Sequence, residues 1–272
     1  MSKAARQRSA RDRLAEERKR QAQREARRRA LLISLSGLVV LALVVAVTVY
    51  VTTKKEERTQ KATAYTGQLA PVSREADGSI VMTKAGVSTP LLEVFEDFQC
   101  PICKEFENAS GGTVKRLAAE GKVKVVYRPF QLFQGKDNEP LSSNSRRAAN
   151  AALCTPADKW VSYHDTLYKF QPPEGKDGFS NKDLVAWGTD LGITDPSFTT
   201  CVNNGQKYGQ LDQMTKYTTG QRKVTGTPTV FLNGKQLDLQ GQLLNPQALE
   251  LAVTAAGQQS GSTSPAPSSS AQ

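Results

Sequence analysis

Phe98-Gln99-Cys100-Pro101-Ile102-Cys103-Lys104-Glu105-Phe106 carries the two cysteines on which the reading of this chain turns. The run before it, Leu91-Leu92-Glu93-Val94-Phe95, is short and apolar enough to be a buried strand, and the residues after it suit a helix. The cysteines therefore sit at a strand-to-helix junction. Three residues apart on a first helical turn, their side chains share one face and lie within the Cα separation that a disulfide tolerates. They can be a dithiol or a bridge. A thiol at a helix N-terminus faces unpaired backbone N–H groups and the positive end of the helix dipole, so its thiolate is stabilised. Pro101 fits the first helical position because it has no N–H to leave orphaned. This geometry makes Cys100 the exposed, attacking sulfur and Cys103, one turn further in, the resolving one.

Two other uses of Cys-x-x-Cys compete with a redox pair. A zinc knuckle needs two more ligands at similar spacing, but Cys154 and Cys201 are solitary and His164 is the only histidine. An inert structural bridge is the other. The reading adopted is a redox dithiol with no metal and no cofactor. No phosphate-binding glycine loop, Gly-x-Ser-x-Gly elbow or His-Glu-x-x-His helix occurs to suggest another chemistry.

A chain of 272 residues with 38 % hydrophobic content can bury a sizeable core, in one or two domains. Its formal charge of +10 would suggest nucleic acid if it were spread over the surface, but residues 1–30 hold twelve basic and four acidic residues and so carry +8 of it. No basic patch is left for the remainder, and no nucleic-acid partner is expected.

Residues 1–30 read as a basic cytoplasmic tail and residues 31–53 as a transmembrane anchor. Leu31 to Val51 is free of charge over 21 residues, which at about 1.5 Å per residue matches a bilayer core of about 30 Å. Twelve basic residues precede it and only Lys54, Lys55 and Arg58 follow closely, so the positive-inside rule puts the N-terminus in the cytoplasm and the rest outside. The thirty-residue leader and the missing small-x-small site argue against a cleaved signal peptide. Residues 54–79 read as a polar stalk, 80–256 as the folded domain, and the Gly/Ser/Pro/Gln-rich 257–272 as a disordered tail.

Within the domain, Ile80 to Met82 is a short strand, and Pro101 to Glu120 is a helix that Gly111-Gly112 should kink or split. Lys122 to Phe130 is the next strand, which gives a parallel, right-handed βαβ unit. Helical spacing recurs at Ser142–Cys154, Asp158–Phe170, Asn181–Gly192 and Pro196–Thr218, so residues about 139–219 look like an inserted helical subdomain. Thr229 to Leu232 and Lys235 to Leu239 flank Asn233-Gly234, the pair preferred in type I′ hairpin turns. Asn245-Pro246 opens the last helix, to about Ala256, with Asn as cap and Pro at the first position.

Glu96-Asp97-Phe98-Gln99-Cys100-Pro101-Ile102-Cys103, the helical insert and Gly226-Thr227-Pro228-Thr229-Val230-Phe231-Leu232-Asn233-Gly234 together resemble the DsbA-like branch of the thioredoxin superfamily. The resemblance spans about Pro90 to Ala256 and is nearest to the membrane-anchored DsbA-like proteins of actinobacteria. It implies an α/β, thioredoxin-like fold with a helical insertion, here preceded by one transmembrane helix. It also implies that Pro228 is a cis-proline against the active-site sulfurs and that the Thr227 backbone pairs with extended substrate, beside Pro101 and Ile102. Cys154 and Cys201 are implied to form a structural disulfide that staples the insert. Two departures stand out: Val94 replaces the buried acid that many relatives carry six residues before the first cysteine, with Glu96 and Asp97 nearby and neither assigned its place, and Ile102 replaces the histidine of the strongest oxidants. His164, in Trp160-Val161-Ser162-Tyr163-His164-Asp165, reads as a packing residue of an amphipathic helix.

The function these readings imply is a membrane-tethered, extracytoplasmic thiol–disulfide oxidoreductase that puts disulfides into exported proteins. Its expected partners are reduced exported polypeptides and a membrane quinone-linked thiol oxidase of the DsbB or vitamin K epoxide reductase type. A reductase or isomerase on the outer face uses the same chemistry, and a non-catalytic binding module would use only the scaffold.

Overall fold

A computed structural model describes residues 65–261. The basic tail, the proposed anchor at Leu31–Val51, most of the stalk and residues 262–272 lie outside these described residues. Among the described residues no helix is long and apolar enough to cross a membrane.

Among the described residues six strands form one sheet: β1 (Val72–Arg74), β2 (Ile80–Met82), β3 (Leu91–Glu96), β4 (Lys124–Pro129), β5 (Thr229–Leu232) and β6 (Lys235–Gln236), in the order β1-β2-β4-β3-β5-β6. Only β3 and β4 pair parallel, as a βαβ crossover requires, with Val94 opposite Tyr127 and Glu96 opposite Pro129. The crossover is α1 (Pro101–Phe106), a wide π turn over Glu107–Gly111, and α2 (Gly112–Glu120). The interruption thus falls at the expected glycine pair. Gly121, at φ 78°, closes α2 in the left-handed conformation that glycine adopts without strain.

Between β4 and β5 the chain forms the insert: α3 (Leu141–Cys154), α4 (Ala157–Lys169), α5 (Asn181–Asp190), α6 (Pro196–Asn203) and α7 (Tyr208–Lys216). The single helix expected over Pro196–Thr218 is two, because Gly205 turns the chain at φ 61°. Asp195 caps α6 by accepting from the Ser197 amide at 2.8 Å, with Pro196 in the first turn. The hairpin turns at Asn233 and Gly234, both at positive φ as a type I′ turn requires. Asn245 accepts from the Ala248 amide at 3.1 Å and starts α8 (Pro246–Gly261).

The second hairpin strand, read over Lys235 to Leu239, stops at Gln236, and Leu239–Leu243 is a π turn. Two domain boundaries also differ from the sequence reading. The stretch read as stalk contains β1, paired to β2 with Ser73 opposite Val81, and Ala70 is buried in the core. At the other end α8 runs five residues past Ala256, into the stretch read as tail.

Alternation along β3 sorts the core. Leu92 and Val94 point into a cluster with Phe106 and Leu117 of the crossover, Leu249 and Val253 of α8, and Trp160 of α4. Phe95 points to the other face, with Phe130 and Val224. A second cluster joins the insert to the junction after β3: Phe98, Cys100 and Cys103 pack with Ala148, Tyr163, Leu167 and Tyr168. Burying each such aromatic or aliphatic side chain contributes about 1.5–3 kcal/mol, so the insert's packing against Phe98, Cys100 and Cys103 helps to hold the dithiol in place.

Candidate active site

Cys100 is the N-cap of α1 and Pro101 its first residue, with Cys103 at the third helical position. The backbone of Cys100 is extended (φ −75°, ψ 119°), its amide donates to the Asp97 carbonyl at 2.9 Å, and its carbonyl accepts from Lys104 at 3.3 Å. Its side chain is therefore aimed back over the free N–H groups of the first turn. The Thr227–Pro228 peptide is cis and lies opposite, so that the Cys100 thiol donates to the Thr227 carbonyl at 3.3 Å. Pro101, Ile102, Thr227 and Pro228 are half-buried around it.

One expectation needs correction. Cys100 is not an exposed sulfur: it retains 5 % exposure, against none for Cys103. The insert, which packs Phe98 and its neighbours across the junction, covers the helix end that a bare strand–helix turn would leave open. The order of accessibility between the two cysteines is nevertheless as read.

The two sulfurs are electrostatically opposite. A hydrogen bond from the Cys103 thiol brings the Cys100 thiol down to about 6, against the cost of burial and with help from Thr227 and the amides of Ile102 and Cys103. Burial pushes the Cys103 thiol well up, and the charges of Cys100 and Glu96 push it further. At neutral pH the pair therefore holds one thiolate, on Cys100, and one proton, on Cys103.

Asp97, one of the two acids beside the motif, and Gln171, which no sequence pattern singled out, fix the junction. The buried Asp97 carboxylate accepts from the amides of Gln99 and Leu132, each at 2.8 Å, and from the Ser145 hydroxyl at 2.7 Å. Gln171, just beyond α4, donates from one amide nitrogen to the carbonyls of Phe98 (2.8 Å) and Cys100 (2.9 Å). Loop, β4 exit and insert are thereby locked together.

Beneath the cysteines lies a buried ionisable chain. Glu96, last residue of β3 and on the same face as Leu92 and Val94, accepts from or shares a proton with His164 Nε2 at 3.0 Å. His164 Nδ1 meets Asp165 at 3.2 Å, and Lys115 bridges Asp165 (2.8 Å) to Glu107 (3.0 Å). Burial, with the Glu107 charge, holds Glu96 above the usual carboxylate range. Burial works against a charged His164, but the Glu107 and Glu96 charges and its bond to Asp165 outweigh it and raise its pKa. The packing role read for His164 holds, since its ring touches those of Phe98, Tyr127, Trp160 and Tyr168. Its two acid partners were not foreseen, although period-two alternation from Leu92 through Val94 aims residue 96 into the core. Glu96, Glu107 and His164 also bring metal-ligating atoms within 4.8 Å of one another, but the Lys115 ammonium already neutralises Glu107.

Remote from this centre, Cys154 at the end of α3 is bonded to Cys201 in α6, with Cα atoms 5.9 Å apart. Cys100 and Cys103 are the free cysteines.

A dithiol at a helix N-terminus, one sulfur activated and one masked, opposite a cis-proline turn on this sheet, defines a thiol–disulfide exchange centre. A profile of the thioredoxin family matches residues 86–249, and the chain belongs to that family. Among solved structures, it is similar to the reduced disulfide bond oxidoreductase DsbG of Mycobacterium tuberculosis, at 26 % identity over 77 % of this chain and 98 % of that one, with a TM-score of 0.54. Oxidised DsbA of M. tuberculosis shares 28 % identity over 68 % of this chain and 91 % of its own, also at 0.54. MdbA, a thiol–disulfide oxidoreductase from Corynebacterium matruchotii, shares the fold at 20 % identity over 68 % and 94 % of the two chains, at 0.56. No curated protein matches the chain in sequence.

Proposed function

We propose that this protein is a membrane-tethered thiol–disulfide oxidoreductase that introduces disulfides into exported proteins on the outer side of the membrane. The observation that carries the reading is the split between the sulfurs: Cys100 is a ready leaving and attacking thiolate, whereas Cys103 holds its proton. In the oxidising direction a substrate thiolate attacks Cys100 Sγ of the Cys100–Cys103 disulfide, the bridge opens, and Cys103 departs and is protonated. A second substrate thiolate then attacks the substrate sulfur of the mixed disulfide and releases Cys100 as a thiolate. Stabilising that thiolate stabilises the reduced enzyme, which is what makes such a centre oxidising. The Thr227 backbone is the edge on which extended substrate would pair, flanked by Pro101, Ile102 and Pro228. A quinone-linked membrane thiol oxidase of the DsbB or vitamin K epoxide reductase type would restore the bridge.

The anchor and the outward orientation rest on the charge-free run Leu31–Val51 and on the basic residues before it. A reporter fused after Gln272 and active only outside the cytoplasm should be active; one that works only inside should be silent, and the reverse pattern would sink the topology.

The direction of electron flow is tested by glutathione redox equilibration of the purified protein. The expected potential lies between those of thioredoxin, about −270 mV, and DsbA, about −120 mV, and nearer the latter. A value at or below that of thioredoxin would mean a reductase, and complete inertness toward both glutathione forms would mean a binding module.

A further inference from the structure

The exchange reaction moves a proton on and off Cys103, which has no exposure. Some path must connect that sulfur to water. Cys103 packs in one cluster with Phe98 and Tyr168, whose rings lie 5.7 and 5.0 Å from that of His164, and the Glu96 charge bears on its sulfur. One carboxylate oxygen of Glu96, Oε1, is buried without a hydrogen-bond partner, an open seat for a proton where an unpaired acceptor is costly.

The groups that face this seat come from every element around it: Glu107 of the π turn, Lys115 of α2, Tyr127 of β4, and His164, Asp165 and Tyr168 of α4. Three carboxylates against one ammonium leave the cluster two positive charges short, a deficit that a low-dielectric interior does not tolerate. Protons make it up. Two groups here touch acids on both sides: Lys115 holds Glu107 and Asp165, and His164 holds Glu96 at Nε2 and Asp165 at Nδ1, which makes it the one that reaches Glu96 among the described residues. An imidazole so placed can take a proton at one nitrogen and release one at the other. The row also ends where water begins: the side chains of Glu96 and His164 are 2 % and 1 % exposed, whereas that of Asp165 is 16 % exposed and its second oxygen already receives the Tyr65 amide at 3.3 Å.

We propose that His164 is the proton-relay residue of the dithiol, passing the Cys103 proton between Glu96 and the solvent-facing Asp165. When substrate thiolate opens the bridge, the S–S electron pair leaves on Cys103, the thiolate takes a proton from Glu96, His164 returns one to Glu96, and Asp165 and water recharge the imidazole. In the reverse direction Cys103 gives its proton to Glu96 as its sulfur bonds to Cys100, and the same row discharges it. The relay rests on the exchange chemistry and is indifferent to its net direction.

The test uses the purified full chain. In single turnover with reduced glutathione, opening of the bridge with protonation of Cys103 should slow at least tenfold in His164→Gln, and its pH profile should flatten. The rate of Cys100 alkylation in the reduced protein should not change. Because the chain has one histidine, its imidazole resonances are assigned without further labour, and the titration midpoint of His164 should differ between the dithiol and disulfide forms of the wild type. A folded His164→Gln protein with an unaltered rate and profile overturns the relay. If that variant does not fold, a His164 midpoint that is the same in both redox forms overturns it instead. Wild-type protein inert toward glutathione would sink the exchange reading itself, so the two failures are distinguishable.

Discussion

The Cys100 thiol reaches the carbonyl oxygen of Thr227 at 3.3 Å, across 127 residues of sequence. The nucleophile and the cis-proline turn are therefore one surface. The Thr227 hydroxyl is buried without a partner of its own, which leaves it free to donate once Cys100 has lost its proton.

Alkylation of the reduced protein by iodoacetamide should follow a midpoint near 6, the value to which the Cys103 bond brings Cys100, rather than that of an ordinary thiol near 9. A group depressed on folding contributes stability that is full above its unfolded value and is lost as pH falls through its folded one. Reduced protein should thus gain stability relative to oxidised protein as pH rises from about 6 to about 9, as read by thermal unfolding of the two forms. Thr227→Val should move the alkylation midpoint upward.

Replacing Cys103 by alanine should have two effects at once. Mixed disulfides between Cys100 and client proteins should accumulate, because the resolving thiol is gone, and the Cys100 midpoint should rise, because its first hydrogen bond is gone. Cys100→Ala should trap none. Non-reducing gels after acid quenching read the first effect, and equal trapping by both variants would reverse the assigned roles.

The Cys154–Cys201 bridge closes a loop with a sequence separation of 47. In the chain-entropy account a loop of that size contributes up to about 4 kcal/mol, so the Cys154→Ala, Cys201→Ala double variant should lose a sizeable part of the stability of the fold. Denaturant midpoints, with exchange activity at low temperature retained, are the expected pattern. An unchanged midpoint would make the bridge energetically silent.

Ile102 brings neither charge nor hydrogen bond to the Cys100 thiolate. Ile102→His should add one and raise the reduction potential, since further stabilising the thiolate stabilises the reduced form. Glutathione equilibration of the two proteins side by side decides it, and a lowered potential in the variant would contradict the account.

Local chemistry made much of the fold legible. Strand, helix and strand around Cys100, the Asn233-Gly234 turn and the Asn245-Pro246 helix start each follow from residue types whose backbone preferences act over a few positions. What escaped depends on contacts made far away. Val72-Ser73-Arg74 is too short for alternation to announce, and becomes a strand only because β2 offers it an edge. Cys100 looked open because the covering residues come from an insert whose packing no local pattern reports. The Glu96–His164 pair joins positions 68 apart, and only the parity of β3 hinted that an acid was headed inward.

Four thiols can pair in three ways, and two of these would consume Cys100 and Cys103 in bridges to α3 and α6. Only the remaining pairing leaves a working centre. Once Cys154 and Cys201 are joined, both mispairings are closed off, so the bridge protects the site by using up the two sulfurs that could divert it and leaves Cys100 and Cys103 to each other.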